Sequence, residues 1–137
     1  MATIFTRILA GEIPGNFIFR GAHWCAMLDI RPSAPAHALL ISRQEVGHLA
    51  ELPADVLQDM GPQLARLTRA IKRVTACPAV NVVLNDGPVA GQEVPHVHWH
   101  VLPRWPGDPL GYRFHPQPGA GLAELAQRLA VAWEESA

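Results

Sequence analysis

The chain has little cysteine, no large excess of either charge and no long apolar run, and each shortage removes a class of function. Two cysteines, Cys25 and Cys77, occur in 137 residues. They are too few for a disulfide framework and form no CxxC metal knuckle, so they read as small buried or free thiols of a reducing compartment. The formal charge is -1 at neutral pH, which leaves no chain-wide basic field of the kind that holds nucleic acid by counterion release. A local site for a phosphate-bearing small molecule is still allowed. No stretch approaches the roughly 18 consecutive apolar residues of a membrane span, and MATIFTRILAGEIPG lacks a basic region followed by an unbroken apolar run. The expectation is a cytoplasmic protein with neither a membrane nor a nucleic-acid partner.

A chain of this length that is 49% hydrophobic suits one domain with a single core. Ile4, Phe5, Ile8 and Leu9 recur at helical spacing between Thr3, a candidate cap, and Gly11, so residues 3–11 predict a short opening helix. NFIFR, HWCAML and HALLIS read as three strands, the first two a hairpin turning at Gly21. From Leu52 to about Ala76 the positions Leu57, Met60, Leu64, Leu67, Ile71 and Val74 step by three and four, which predicts a long helix. Arg66, Arg69, Lys72 and Arg73 lie off that stripe as a solvated face, and Pro62 predicts a kink or a fresh start near Gly61. VNVVLN and HVHWHVL predict two further strands joined by DGPVAGQEVP. Leu122, Leu125, Leu129 and Trp133 predict a C-terminal helix, and the sum is an α+β domain.

The stretch PHVHWHVLPR, residues 95–104, carries the chemistry. On a strand His96, His98 and His100 share one face with Leu102 and Arg104, while Val97, Trp99 and Val101 share the other. Three imidazoles in a row bury poorly, so a function is expected. Residues two apart on a strand are separated by roughly 6.6 to 6.8 Å and the outer histidines by about 13 Å, so one strand cannot bring all three to one zinc. A zinc site would need His37, His23, His48 or a cysteine, and spacing does not choose among them. A neutral imidazole is also a competent nucleophile toward phosphorus, provided that an acceptor holds the proton on its other nitrogen. The middle histidine is flanked for that task, and the turn AGQEV offers backbone N–H groups that could stabilise a phosphoryl group.

HVHWHVL resembles the His-φ-His-φ-His-φ-φ signature, φ being apolar, of the histidine-triad or HIT superfamily of nucleotide hydrolases and transferases. TIFTRILAGEIP is similar to the N-terminal helix of its Hint-like branch, LDIRPSAPAHALLIS to its ribose-contacting loop and strand, and NDGPVAGQEVPHVHWHVLPR to its active-site hairpin. The resemblance spans residues 3 to about 106, leaving about 107–137 as a C-terminal extension of one domain. It implies a HIT-like fold, a mostly antiparallel five-stranded sheet with a short N-terminal, a long and a C-terminal helix, in a homodimer with one continuous sheet. It implies a purine nucleotide substrate attacked at the α-phosphate by His98, with His96 and His100 flanking and His37 holding the His98 tautomer. Asp29 would accept the ribose hydroxyls. Phe5, Ile8, Met27 and Leu28 would line the nucleobase slot, and Asn85, Gln92 and the backbone of Glu93 and Val94 would contact phosphate. No metal or other cofactor is required.

Two positions depart from the pattern. Glu93 stands where Hint-like members carry serine and Fhit-like members threonine, and a carboxylate there would repel phosphate, so only its N–H is expected to take part. Glu45 stands where many Hint-like members carry a histidine, and His23 and His115 read as surface residues. The expected activity is hydrolysis of nucleoside monophosphate conjugates, of phosphoramidate type. Dinucleoside polyphosphate hydrolysis, suggested by DGPVAGQ and HVLPR, and nucleotide binding with little turnover are the alternatives.

Overall fold

The computed structural model describes residues 2–109 and 118–137, so His115 falls outside the described residues. Helix α1 (Ile4–Leu9) is followed by β1 (Phe17–Arg20), β2 (Trp24–Leu28), β3 (Ala38–Ser42), α2 (Ala54–Thr75), β4 (Ala79–Leu84), β5 (His98–Arg104) and α3 (Leu122–Glu134). The strands form one sheet in the order β1-β2-β3-β5-β4, with every neighbouring pair antiparallel. The expected α+β architecture, five strands and three helices, is what is seen.

Strand alternation divides the interior in two. Trp24, Ala26 and Leu28 of β2, Ala38 and Leu40 of β3 and Val101 of β5 face α2 and α3 and form the larger core with Leu67, Ile71, Leu129 and Trp133. Met27, Leu39 and Ile41 point the other way and meet Phe5 and Ile8 of α1 in a smaller cluster. Both cysteines are free thiols buried in the fold.

Helix α2 runs unbroken from Ala54 to Thr75 through Pro62, so no fresh start occurs at Gly61. Gln58, whose carbonyl loses its N–H partner to the proline ring, is exposed, as are Gly61 and Pro62, so water can take the lost bond. The arginine stripe also differs from a plainly solvated face. Arg66 donates to the carbonyl of Trp133 at 2.8 Å, Arg69 to that of Ser136 at 2.9 Å and Arg73 to that of Glu135 at 3.0 Å. Three guanidinium groups thus satisfy carbonyls at the negative end of α3. Arg66 also lies over the Trp133 indole, which stacks on Phe19 at 4.3 Å.

Candidate active site

The site lies on the α1 side of the sheet. The register opposes Leu39 to His100 and Ile41 to His98, so both imidazoles project beside the small apolar cluster under α1. His96 lies on this face too, against Thr3 and Phe5 of the α1 side, although it precedes the paired strand. Residues 93–96 form a bend in which the His96 N–H donates to the Val94 carbonyl at 2.8 Å, and strand pairing begins only at His98. His96 is fully buried, with its ring 5.7 Å from that of Phe5. Its Nε2 donates to the Ser42 carbonyl at 2.6 Å. That bond places the proton on Nε2, so Nδ1 accepts from the Thr3 hydroxyl at 2.7 Å. Its backbone carbonyl accepts from His98 Nδ1 at 2.7 Å. A carbonyl can only accept, so His98 carries its proton on Nδ1 and has its lone pair on Nε2.

All three histidines of the row are buried, contrary to the expectation of poor burial: His98 is 6% and His100 9% exposed. Phe5 sets its ring against the His98 ring at 4.8 Å and 71°, an edge-to-face contact that limits ring rotation. Burial lowers the His98 pKa, partly offset by the His96 carbonyl and by the carboxylates of Asp29 and Glu93. The ring is thereby neutral and nucleophilic at neutral pH.

His37 does not hold the His98 tautomer. Continued to His37, the register sets it opposite Leu102 and diagonally next to His100, one further residue pair away from His98. Its Nε2 lies 2.9 Å from His100 Nδ1. The Ser33 backbone N–H, which can only donate, reaches His37 Nδ1 at 3.0 Å. The proton of His37 is consequently on Nε2 and goes to His100 Nδ1, which leaves His100 with an Nε2–H donor. Burial lowers the pKa of His37 to about 4 and that of His100 to about 3. His100 is thus a neutral hydrogen-bond donor beside the nucleophile.

These groups line a cleft of about 380 Å³ that also includes Phe5, Ile8, Met27, Asp29, Asn85, Glu93 and Val94. Asp29 accepts from the Arg31 N–H at 2.9 Å through one oxygen, and its other oxygen lies 3.8 Å from His37 Nε2. Burial raises its pKa, against the Arg31 N–H and the nearby His98. Leu28 borders the cleft, but its side chain packs in the helix-side core because it alternates with Met27. Gln92 does not line the cleft. Its amide oxygen accepts from Gly87 N at 2.8 Å and its nitrogen donates to the Gly47 carbonyl at 2.9 Å, so it pins the loop before the row. Sequence reasoning missed Gly15, where a Cβ would come within 2.7 Å of Ile8 and block the close approach of α1. It also missed Ser33, whose signal is a backbone donor and carries no side-chain chemistry.

The HIT domain family model matches residues 10–107. The chain belongs to the HIT domain family. It is 32% identical over 126 residues to an uncharacterized HIT-like protein of Methanocaldococcus jannaschii, covering 92% of this chain and 97% of that one. It is 39% identical over 103 residues to an adenosine 5'-monophosphoramidase of Saccharomyces cerevisiae, covering 75% of this chain and 63% of the relative. A zinc-bound histidine triad family protein from Mycobacterium smegmatis superposes with a TM-score of 0.82 at 30% identity, covering 98% and 95% of the two chains.

Among the described residues, Asp29, His37 and His100 bring ligand atoms within 4.8 Å of one another. The Ser33 N–H commits His37 Nε2 to carrying a proton, on the atom a cation would need. The 2.9 Å between His37 and His100 is a hydrogen-bond distance, shorter than the roughly 3.3 Å between two nitrogens on a tetrahedral zinc. This arrangement does not suit a resident ion.

Glu45 acquires a role that its departure from the Hint-like pattern did not suggest. One carboxylate oxygen accepts from Thr3 N at 2.6 Å and from the Thr6 hydroxyl at 2.7 Å. With the Thr3–His96 bond this latches α1 to the sheet and sets Phe5 and Ile8 against the cleft. Glu45→Ala is expected to raise the nucleotide KM several-fold with a smaller change in kcat, and Glu45→Gln, which keeps an acceptor oxygen, to recover most of the loss. Steady-state kinetics of the two variants checks this.

Proposed function

We propose that this protein hydrolyses conjugates of a purine nucleoside monophosphate, phosphoramidates above all, through a covalent nucleotidyl intermediate on His98. The observation that carries this reading is the tautomer of His98, whose Nδ1–H is bound to its own strand's carbonyl while the ring lines a cleft shared with Asp29 and an apolar slot. The activity named for the yeast relative supports it. Phe5, Ile8 and Met27 receive the base, Asp29 accepts from the ribose hydroxyls, and the α-phosphate sits before His98, with Asn85 and the backbone of Glu93 and Val94 at its rim. His98 Nε2 forms a bond to phosphorus as the bond from phosphorus to the leaving nitrogen breaks. That nitrogen keeps the bonding pair, takes a proton from water and departs as the amine. The His100 Nε2–H stabilises the phosphoryl oxygens, and the Asp29 carboxylate the positive charge on the nucleotidyl-imidazolium. Water then attacks phosphorus, the bond to His98 breaks, and the monophosphate leaves with the water's proton released to solvent.

The test is a panel comprising an AMP–amine conjugate and a diadenosine polyphosphate, with intact-mass detection of the protein during turnover. The expected result is faster turnover of the phosphoramidate and a nucleotidyl adduct on the wild type. Equal, negligible rates for wild type and His98→Ala would sink the reading. A homodimer is part of the same proposal: β4 ends the sheet, with Val82 41% exposed, and edge-to-edge pairing would continue the ladder. Sedimentation at twice the chain mass is the expected result.

A further inference from the structure

One charged side chain at the cleft is Glu93. It is exposed, lines the same cleft as His98 and Asn85, and stands in the loop between Gly91 and Val94. Val94 packs on the apolar cluster under α1, and Gly91 faces the Asn85 amide. In a displacement at phosphorus the leaving group departs opposite the attacking atom. The nucleoside is held inward by Asp29 and the apolar slot, so the departing group points toward the open rim where Glu93 stands.

The charges along that path are few. Among the described residues lining the cleft, the charged side chains are Asp29, Arg31 and Glu93. Arg31 is placed next to Asp29 at the ribose end, where its backbone N–H donates to the Asp29 carboxylate. The groups facing phosphate, His98 and His100, are imidazoles kept neutral by burial. Arg104 is bound to Asn81 on the neighbouring strand. The single lysine of the chain, Lys72, lies on α2, which packs on the opposite face of the sheet. A polyphosphate leaving group would bring several negative charges past a carboxylate, and among the described lining residues the one cation, Arg31, stands at the ribose end beside Asp29. A leaving amine with an ammonium group on its chain meets the opposite field.

We propose that Glu93 determines leaving-group specificity, favouring conjugates whose departing amine carries a second, positively charged nitrogen and disfavouring polyphosphates. The proposal rests on the nucleotide-hydrolase reading above and deepens it. Three substrates test it: AMP joined through nitrogen to butylamine, AMP joined to one end of 1,4-diaminobutane, and diadenosine tetraphosphate. Each is run with wild type, Glu93→Gln and Glu93→Arg. In the wild type kcat/KM should favour the diamine conjugate over the butylamine conjugate by about tenfold at low salt, the scale of one close charge pair. Raising the ionic strength should shrink the ratio. Glu93→Gln should bring it close to one, and Glu93→Arg should invert it and raise turnover of the tetraphosphate relative to both amine conjugates. Unchanged ratios in both variants, with all conjugates still hydrolysed, would overturn the specificity role and leave the hydrolase reading standing. No turnover of any conjugate by the wild type would overturn both.

Discussion

His98→Ala is expected to lower kcat for an AMP–amine conjugate by at least about 10³-fold, the scale seen when a covalent nucleophile is removed, and to abolish the nucleotidyl adduct. No described neighbour can take over. His100 carries its proton on Nε2 because its Nδ1 accepts from His37. His96 has both ring nitrogens bonded inside the protein. The loss should fall on kcat more than on KM, since the ribose carboxylate and apolar slot are untouched. His98→Gly with added imidazole separates lost chemistry from lost folding: a free imidazole entering the vacated space beside Phe5 should restore part of the turnover without forming a protein adduct. A His98→Ala enzyme with near-wild-type kcat would end the covalent mechanism.

The parts of this site that sequence made legible are those governed by strand alternation. The apolar face of Val97, Trp99 and Val101 and the projection of His98 and His100 follow from a period of two, and the structure has them so. His96 keeps the face that alternation assigns it, against Thr3 and Phe5, but the bend at Pro95, where its N–H bonds back to Val94, is local to the turn and alternation cannot register it. The partner of His37 depends on which residue of β5 stands opposite, and a one-residue change of register would have moved it. Glu45 and Thr3 are 42 positions apart in sequence, so nothing but the packing of α1 against the sheet could pair them. The arginines of α2 looked solvated because the C-terminus of α3 that they cap carries no side-chain signal, only carbonyls.

The second large effect is on stability in acid. His37, His96, His98 and His100 all have their pKa lowered in the fold, each first by burial, to about 4 for His37 and about 3 for His100. In the unfolded chain each returns to the ordinary value near 6.5. Between those limits the unfolded chain binds more protons than the folded one, so stability rises with pH and is lost as pH falls from about 6.5 toward the folded values. Near pH 5 each neutral buried histidine contributes a slope of up to about 1.4 kcal/mol per pH unit, so His37 and His100 together contribute nearly 3. Asp29, whose pKa burial raises, opposes this with the reverse sign above its unfolded value. The histidines outnumber it, and against a total stability of roughly 5–15 kcal/mol the loss over two pH units is decisive. Thermal unfolding of the ligand-free protein should show Tm falling steeply below about pH 6 and acid unfolding complete above about pH 3. His100→Phe should flatten the slope by about one proton. A Tm independent of pH from about 6.5 to about 4.5 would show that the row is not buried in the neutral form. The same burial that makes the fold acid-sensitive keeps His98 unprotonated, so the acid limb of kcat/KM should lie below the ordinary imidazole value, in the range where the protein begins to unfold.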